Sequence, residues 1–306
     1  MMRRALSIIF LIFSMLVPSS GQTIVINPYR FNTFVGVLDA YESNLRAAWS
    51  VSRRLRGGYT GPLIRVRSTA GGSPESDINP GADGWLDESA LATFVGSDSA
   101  YVTTIYDQSG GGYHMAQTTT SAQMRIVDAG TIDKLASKPC LYHSGANNTM
   151  GYFSSEWTSY TGTTLSAVGR GLLGNVANGR FIGVSSSTNN DYDSTARMAL
   201  AYQTAAGTYW GTYSSSVVGS SAWVGGSTNT DTLISVITDA TNTTKRIGSN
   251  SDAGAHTAAF SVTRGLWGMV STAAPFAASG SKFAEFILWT SDQTSNDTAI
   301  RAALAY

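Results

Sequence analysis

Short runs rich in Val, Ile, Thr, Tyr and Phe recur along this chain between clusters of Gly, Ser, Asn and Thr, and this punctuation constrains the fold more than any other feature. β-Branched and aromatic residues fit a pleated, half-buried surface, while small polar residues supply the turns between strands. The runs Leu63–Arg67, Tyr101–Tyr106, Met124–Val127, Pro139–His143, Leu233–Thr238 and Lys282–Trp289 therefore read as strands. Two segments read as helical instead. Leu38, Tyr41, Leu45, Ala48, Trp49 and Leu55 fall near helical spacing before Gly57-Gly58, and Ser295 is placed to cap a short helix through Asn296–Leu304. No fixed-period repeat runs through the chain, which argues against propellers and solenoids. Nor does a Pro-rich or charged hinge divide it. The expectation is one all-β domain, a mostly antiparallel double-sheet sandwich of jelly-roll type with one or two short helices.

The N-terminus follows a different pattern. Arg3 and Arg4 precede an apolar run from Ala5 to Val17, and Pro18-Ser19-Ser20-Gly21 follows it. A basic start, a short apolar middle and a small-residue zone make a secretory signal, and the run is shorter than the roughly 20 residues a spanning helix needs. Residues 1–21 are thus expected to be a signal peptide and 22–306 the single domain, secreted or held at the cell surface and not in a membrane. Lys plus Arg equals Asp plus Glu at 20 each, so no basic excess exists to hold nucleic acid. Charged residues make up 13% of the chain, against about 25% in an average soluble domain. Cys140 is the sole cysteine, which excludes an intrachain disulfide and a cysteine-based zinc site. Its place in Lys138-Pro139-Cys140-Leu141-Tyr142 reads as a small buried hydrophobe in a strand.

Three segments carry a family resemblance. They are Arg53-Arg54-Leu55-Arg56 with Tyr59-Thr60-Gly61-Pro62-Leu63-Ile64-Arg65-Val66-Arg67, then Tyr101 to Gly110 with its Tyr106-Asp107-Gln108-Ser109-Gly110 end, and Phe283-Ala284-Glu285-Phe286-Ile287-Leu288-Trp289 before Ser291-Asp292-Gln293. Together they resemble the catalytic-domain family of α-L-arabinofuranosidase B, a concanavalin A-like sandwich. They are also similar to laminin-G-like modules of bacterial surface and phage tail proteins. The resemblance implies a sandwich over roughly Leu38 to Tyr306. It also implies two catalytic positions. Ala199, in Arg197-Met198-Ala199-Leu200, stands where the family has its nucleophilic Glu. Thr272 or Ala273, in Gly268-Met269-Val270-Ser271-Thr272-Ala273, stands where it has its acid/base Asp. Fold alone does not carry function.

Other residue groups suggest ligand contacts. Asp107, Gln108 and Ser109 offer polar groups beside Tyr106 and Tyr113, with His114 following, or else Asp107 starts a turn completed by Gly110-Gly111-Gly112. Tyr202, Tyr209, Trp210 and Tyr213 cluster, with Trp223 beyond; flat amphipathic rings stack on sugars, although strand alternation sends Tyr209 and Trp210 to opposite faces. Asn189-Asn190-Asp191-Tyr192-Asp193 gathers hard oxygens of the kind calcium takes, with Asp191 and Asp193 as candidate ligands, or else forms a solvated loop with Asn and Asp in turn positions; no other cofactor is implied. Alternation places Glu285 in one row with Phe283 and Ile287, a setting that suits either a general acid or a hydrogen-bonded structural carboxylate. His114, His143 and His256 show no metal spacing, and no Gly-x-Ser-x-Gly elbow is present. Without carboxylates at 199 and 272, the expectation is a carbohydrate-binding, lectin-like module for a glycan or surface polymer, using Asp107, Tyr113, His114, Tyr209 and Trp210. The alternatives are a glycoside hydrolase of arabinofuranosidase type with relocated carboxylates, such as Asp107 and Glu285, and a structural part of a cell surface or virion.

Overall fold

The computed structural model describes residues 34–143, 151–153, 160–162, 164–172, 182–185, 198–203, 209–214, 226–227, 230–255, 260–262, 264–267 and 280–305. The first strands are β1 (Leu45–Ser50), β2 (Ile64–Ser68), β3 (Glu75–Ile78), β4 (Ala100–Ile105), β5 (Met115–Ala116) and β6 (Met124–Asp128), followed by the short β7 (Thr131–Ile132), β8 (Lys134–Leu135), β9 (Lys138–Pro139) and β10 (Leu141–Tyr142). Then come β11 (Gly151–Phe153), β12 (Tyr160–Gly162), β13 (Ser166–Leu172), β14 (Ile182–Ser185), β15 (Met198–Gln203), β16 (Tyr209–Ser214) and β17 (Gly226–Ser227). The last are β18 (Thr232–Thr238), β19 (Asn242–Ile247), β20 (Asn250–Ala255), β21 (Phe260–Val262), β22 (Arg264–Trp267) and β23 (Lys282–Trp289). Two helices accompany them, α1 (Glu88–Val95) and α2 (Asp297–Leu304).

The fold is all-β and antiparallel. One ribbon runs β20–β19–β18–β13–β23, with β1 along the C-terminal half of β23 and β10 along its start. A second runs β3–β2–β4–β5–β11–β22–β14–β15–β16–β17. Strand β6 pairs with both β4 and β10, so it joins the two ribbons. Apolar residues from both make one core, in which Trp49, Phe283, Phe286, Leu288, Val236 and Ile247 meet Ile64, Val66, Val102, Met115 and Ile126. Trp49 and Phe286 stack there with ring centroids 5.4 Å apart. The outer face of β1 and β23 is buried as well. Ala48, Ile287 and Trp289 pack with Leu38 and Leu55 and with Ile300 and Leu304 of α2.

That double burial corrects the helix expected from Leu38 to Leu55. A single 3-10 turn, Asp39–Tyr41, precedes β1, whose residues Ala47, Ala48, Trp49 and Ser50 are all buried. A strand covered on both faces shows no polar alternation, so its apolar spacing imitates a helix. The C-terminal helix forms where it was expected, but its N-cap is Asn296, with no side-chain capping bond. Helix α1 was not anticipated. Asp87 starts it by accepting from the Ala90 N–H, Leu91 and Val95 one turn apart bury its inner face, and Gly96 at φ 63° ends it.

Strand β23 also departs from simple alternation. Arg170 of β13 pairs with Glu285, whereas Gly171 pairs with Phe283, so Ala284 is an extra residue on β23. This bulge turns Phe283 into the inner core with Phe286 and Leu288. Glu285 therefore shares its row with Ile287 and Trp289, and not with Phe283 as alternation alone implies.

Candidate active site

The turn after β4 brings Asp107, Tyr113 and His114 together. The Asp107 carboxylate is filled from within the chain: Oδ1 accepts the Ala48 and Ser109 N–H groups, each at 2.9 Å, and Oδ2 accepts the Ser109 hydroxyl at 2.7 Å and the Tyr113 N–H at 3.1 Å. The Asp107 N–H donates to His114 Nδ1 at 3.0 Å, so that nitrogen serves as the acceptor. Tyr113 lends its carbonyl to Trp49 Nε1 at 2.7 Å, and its ring lies 4.4 Å below the Arg46 guanidinium. Gln108 completes the clamp, accepting from the Leu55 N–H at 2.7 Å and donating to the Arg53 carbonyl at 3.1 Å. Asp107 thus anchors the turn to β1 and the segment after it.

Glu285 is equally committed. Arg53 grips it through Nε at 2.7 Å and Nη2 at 3.2 Å, and the Ser50 hydroxyl lies 3.4 Å from Oε1. Arg53 also donates to the Ala303 carbonyl at 3.3 Å, and Arg170, opposite Glu285 on β13, donates to the Leu304 carbonyl at 2.8 Å while holding Asp231. Two guanidinium groups so cap the C-terminal end of α2, where the helix dipole is negative. Cys140 is buried and unpaired, and burial pushes its thiol up to about 12, so it is no nucleophile at neutral pH.

The position matched to the family's nucleophile lies on the second ribbon. Ala199 sits on β15 opposite Gly183 of β14 and Tyr213 of β16. Trp210 and Tyr209 are on β16, paired with Gly226 and Ser227 of β17, and Trp210 also faces Gln203 of β15. Strand β15 lies against β13 and β18, and β16 against β18 and β19. Thr272, Asp191 and Asp193 lie outside the described residues. Among the described residues no three His, Cys, Asp or Glu side chains converge as a metal site does, and no helix is long and apolar enough to cross a membrane.

The family described as "Alpha-L-arabinofuranosidase B, catalytic" matches residues 38–246. The chain belongs to this family. Curated relatives include a probable α-L-arabinofuranosidase B of Aspergillus clavatus, 35% identical over 91 residues, and an α-L-arabinofuranosidase of Hypocrea jecorina, 36% identical over 85 residues. Those matches cover 30% and 27% of this chain, and 18% and 17% of the relatives. Among solved structures, an arabinofuranosidase complexed with arabinofuranosyl-α-1,2-xylobiose superposes with a TM-score of 0.60 at 19% identity, and a GH54 α-L-arabinofuranosidase soaked with a cyclic sulfate inhibitor with 0.62 at 19%. Both cover 88% of this chain, which in turn spans 65% of each.

For this arabinofuranosidase B-type domain the expectation of a non-catalytic, lectin-like module is overturned, since the matching family is one of catalytic domains. That expectation stands on two positions, Ala199 and Thr272, that carry no carboxyl group. The family match spans 38–246, which holds β1 to β4 and the Asp107 clamp. Reading the sequence also missed the Arg53–Glu285 pair, because its partners are 232 residues apart. A buried lysine on β19, Lys245, went unnoticed too, although its interruption of the run Thr243, Lys245, Ile247 was visible.

Proposed function

We propose that this chain is an exported glycoside hydrolase that removes α-L-arabinofuranosyl groups from glycans. The match of a catalytic-domain family to residues 38–246 carries the reading. The similarity to an arabinofuranosidase complexed with an arabinofuranosyl-xylobiose supports the substrate class. The apolar segment after Arg3 and Arg4 supports export.

Retaining hydrolysis needs two carboxyl groups about 5–5.5 Å apart, one to attack the anomeric carbon and one to protonate the leaving oxygen. Asp107 and Glu285 are poor choices, because each is saturated by bonds that hold the fold. Ala199 carries no carboxyl group. Glu156, Asp191 and Asp193, which lie outside the described residues, are the acids to test first. For Asp191 and Asp193 the competing role is calcium ligation.

The deciding experiment incubates the purified chain with 4-nitrophenyl α-L-arabinofuranoside and with arabinoxylan. Release of nitrophenol and arabinose is expected, with at least a hundredfold loss in whichever of Glu156→Gln, Asp191→Asn and Asp193→Asn removes a catalytic carboxylate. Activity restored to a chelated sample by calcium would assign Asp191 and Asp193 to the metal. No release from either substrate refutes the hydrolase.

A further inference from the structure

Gly248 and Ser249 make a two-residue hairpin turn between β19 and β20, with Ile247 opposite Asn250. Gly248 stands at φ 56°, which glycine reaches without strain. This turn forms one wall of a surface cleft of about 550 Å³, and the start of β18 and one face of α2 form the others. Asp231, Thr232, Leu233, Ser249, Asn250 and Arg301 all line it. The cleft is open to solvent, since Ser249 and Asn250 are exposed and Thr232, Leu233 and Arg301 only half-buried.

Arg301 has no carboxylate partner here among the described residues. Its Nη1 donates toward the Leu233 carbonyl at 3.4 Å and the Ser235 hydroxyl at 3.3 Å, and its Nη2 donates to the Gly248 carbonyl. Those three bonds, all to neutral oxygens, leave at least two of the five guanidinium N–H groups. The nearby carboxylates are committed elsewhere. Asp297 pairs with Arg246, and Asp231 accepts Nε and Nη2 of Arg170 at 3.0 and 2.5 Å. Arg53 and Arg170, not Arg301, meet the last carbonyls of α2. With the other charges cancelled in pairs, the cleft keeps the single positive charge of Arg301. Burial pushes that guanidinium down from its ordinary pKa, Asp297 opposes the shift and Arg246 adds to it. A side chain needed only to tie α2 to the hairpin would do so at less desolvation cost as a neutral donor.

We propose that this cleft binds an acidic sugar residue, with Arg301 taking its carboxylate and the Thr232 and Ser249 hydroxyls taking its ring hydroxyls. The proposal rests on the glycan reading above. The planar guanidinium fork matches a carboxylate. Thr232 gives its own proton to the Thr230 carbonyl at 3.0 Å and keeps its lone pairs to accept from a sugar hydroxyl. Leu233 offers an apolar patch to the C–H face of the ring.

Titration calorimetry at low salt, with D-glucuronate, D-glucose and acetate on the full chain, tests it. Glucuronate is expected to bind at least about tenfold more tightly than glucose or acetate, because it alone offers both the charge and the ring. Arg301→Gln and Ser249→Glu should each weaken glucuronate about tenfold, the first by removing the cation and the second by adding a like charge at the mouth. Ser249 is exposed in a turn, so Ser249→Glu should keep the wild-type melting temperature; should Arg301→Gln fail to fold, Ser249→Glu decides. Glucose bound as tightly as glucuronate, acetate bound as tightly, or a glucuronate affinity that the folded variants leave unchanged overturns the site. A chain that releases no arabinose yet shows the expected pattern loses the hydrolase reading and keeps the cleft. A chain that releases arabinose without any preference for glucuronate loses the cleft alone.

Discussion

Two of the arginine–carboxylate pairs among the described residues have nearly the same geometry in opposite surroundings. Arg53 binds Glu285 at 2.7 and 3.2 Å beneath α2, where the carboxylate has 0% exposure. Arg65 binds Asp77 at 2.8 and 3.0 Å across β2 and β3, with the two side chains 44% and 35% exposed. The inner pair also bonds the end of a helix and neighbours a second arginine. The outer pair is open to solvent and also takes the Tyr106 hydroxyl, 2.7 Å from Asp77 Oδ1. Tyr106 is pushed up to about 12, by burial first and then by Asp77. Equal bond lengths therefore stand for unequal worth. Breaking the buried pair strands a charge that water cannot reach, whereas breaking the exposed one returns two ions to solvent.

The largest expected effect follows from the inner pair. Glu285→Gln should cost roughly 3–5 kcal/mol in urea unfolding, because the Arg53 guanidinium is left uncompensated. A loss below about 1 kcal/mol, the usual ceiling for surface pairs, would erase the contrast between the two sites. The double variant Arg53→Met with Glu285→Leu sharpens it: most of the loss should return, and a double variant as unstable as the single would move the cost to α2. Next comes Asp107→Asn, which keeps the shape but turns an amide N–H₂ toward N–H donors, for an expected loss of about 2 kcal/mol by thermal melting. Smaller still is the Arg65–Asp77 coupling, about 0.2–1 kcal/mol in a double-mutant cycle and shrinking in 1 M salt. A coupling that survives high salt would show that the exposed pair behaves like the buried one.

The smallest effect is one of pH. The Arg65 guanidinium, with help from the Tyr106 hydroxyl, holds the Asp77 carboxyl below its ordinary value. A carboxyl depressed on folding contributes stability above its unfolded pKa, near 3.9 for an ordinary Asp, and that stability is lost as pH falls through the lower folded value. Acid unfolding followed by fluorescence should show this limb flattened in Asp77→Asn. An identical acid limb in the variant would assign the loss to other carboxylates.

Strand positions were legible where local chemistry decides them. The runs Leu233–Thr238 and Lys282–Trp289 became strands Thr232–Thr238 and Lys282–Trp289. Where a strand is covered on both faces the period is lost, and Leu45–Ser50 was read as part of a helix. Helix α1 left a signal in Asp87, Leu91, Val95 and Gly96 that its eight-residue length made easy to pass over. The candidate site was legible only in part. Asp107, Tyr113 and His114 were grouped from their nearness in sequence, and the fold does gather them, with Asp107 serving as the anchor of a turn.

By itself the sequence established an all-β chain, its kinship to the arabinofuranosidase B catalytic domains, and a lone cysteine that forms no intrachain disulfide. Those properties reside in composition and in local runs of residues. Tertiary structure decided what each charged group is for. Whether Glu285 meets an arginine, whether Lys245 lies in the core or at the surface, and which side of β23 receives Phe283 depend on bulges and on elements hundreds of residues away. The period of a strand says which residues share a face; it does not say what covers that face, and the cover sets the energy of a charge.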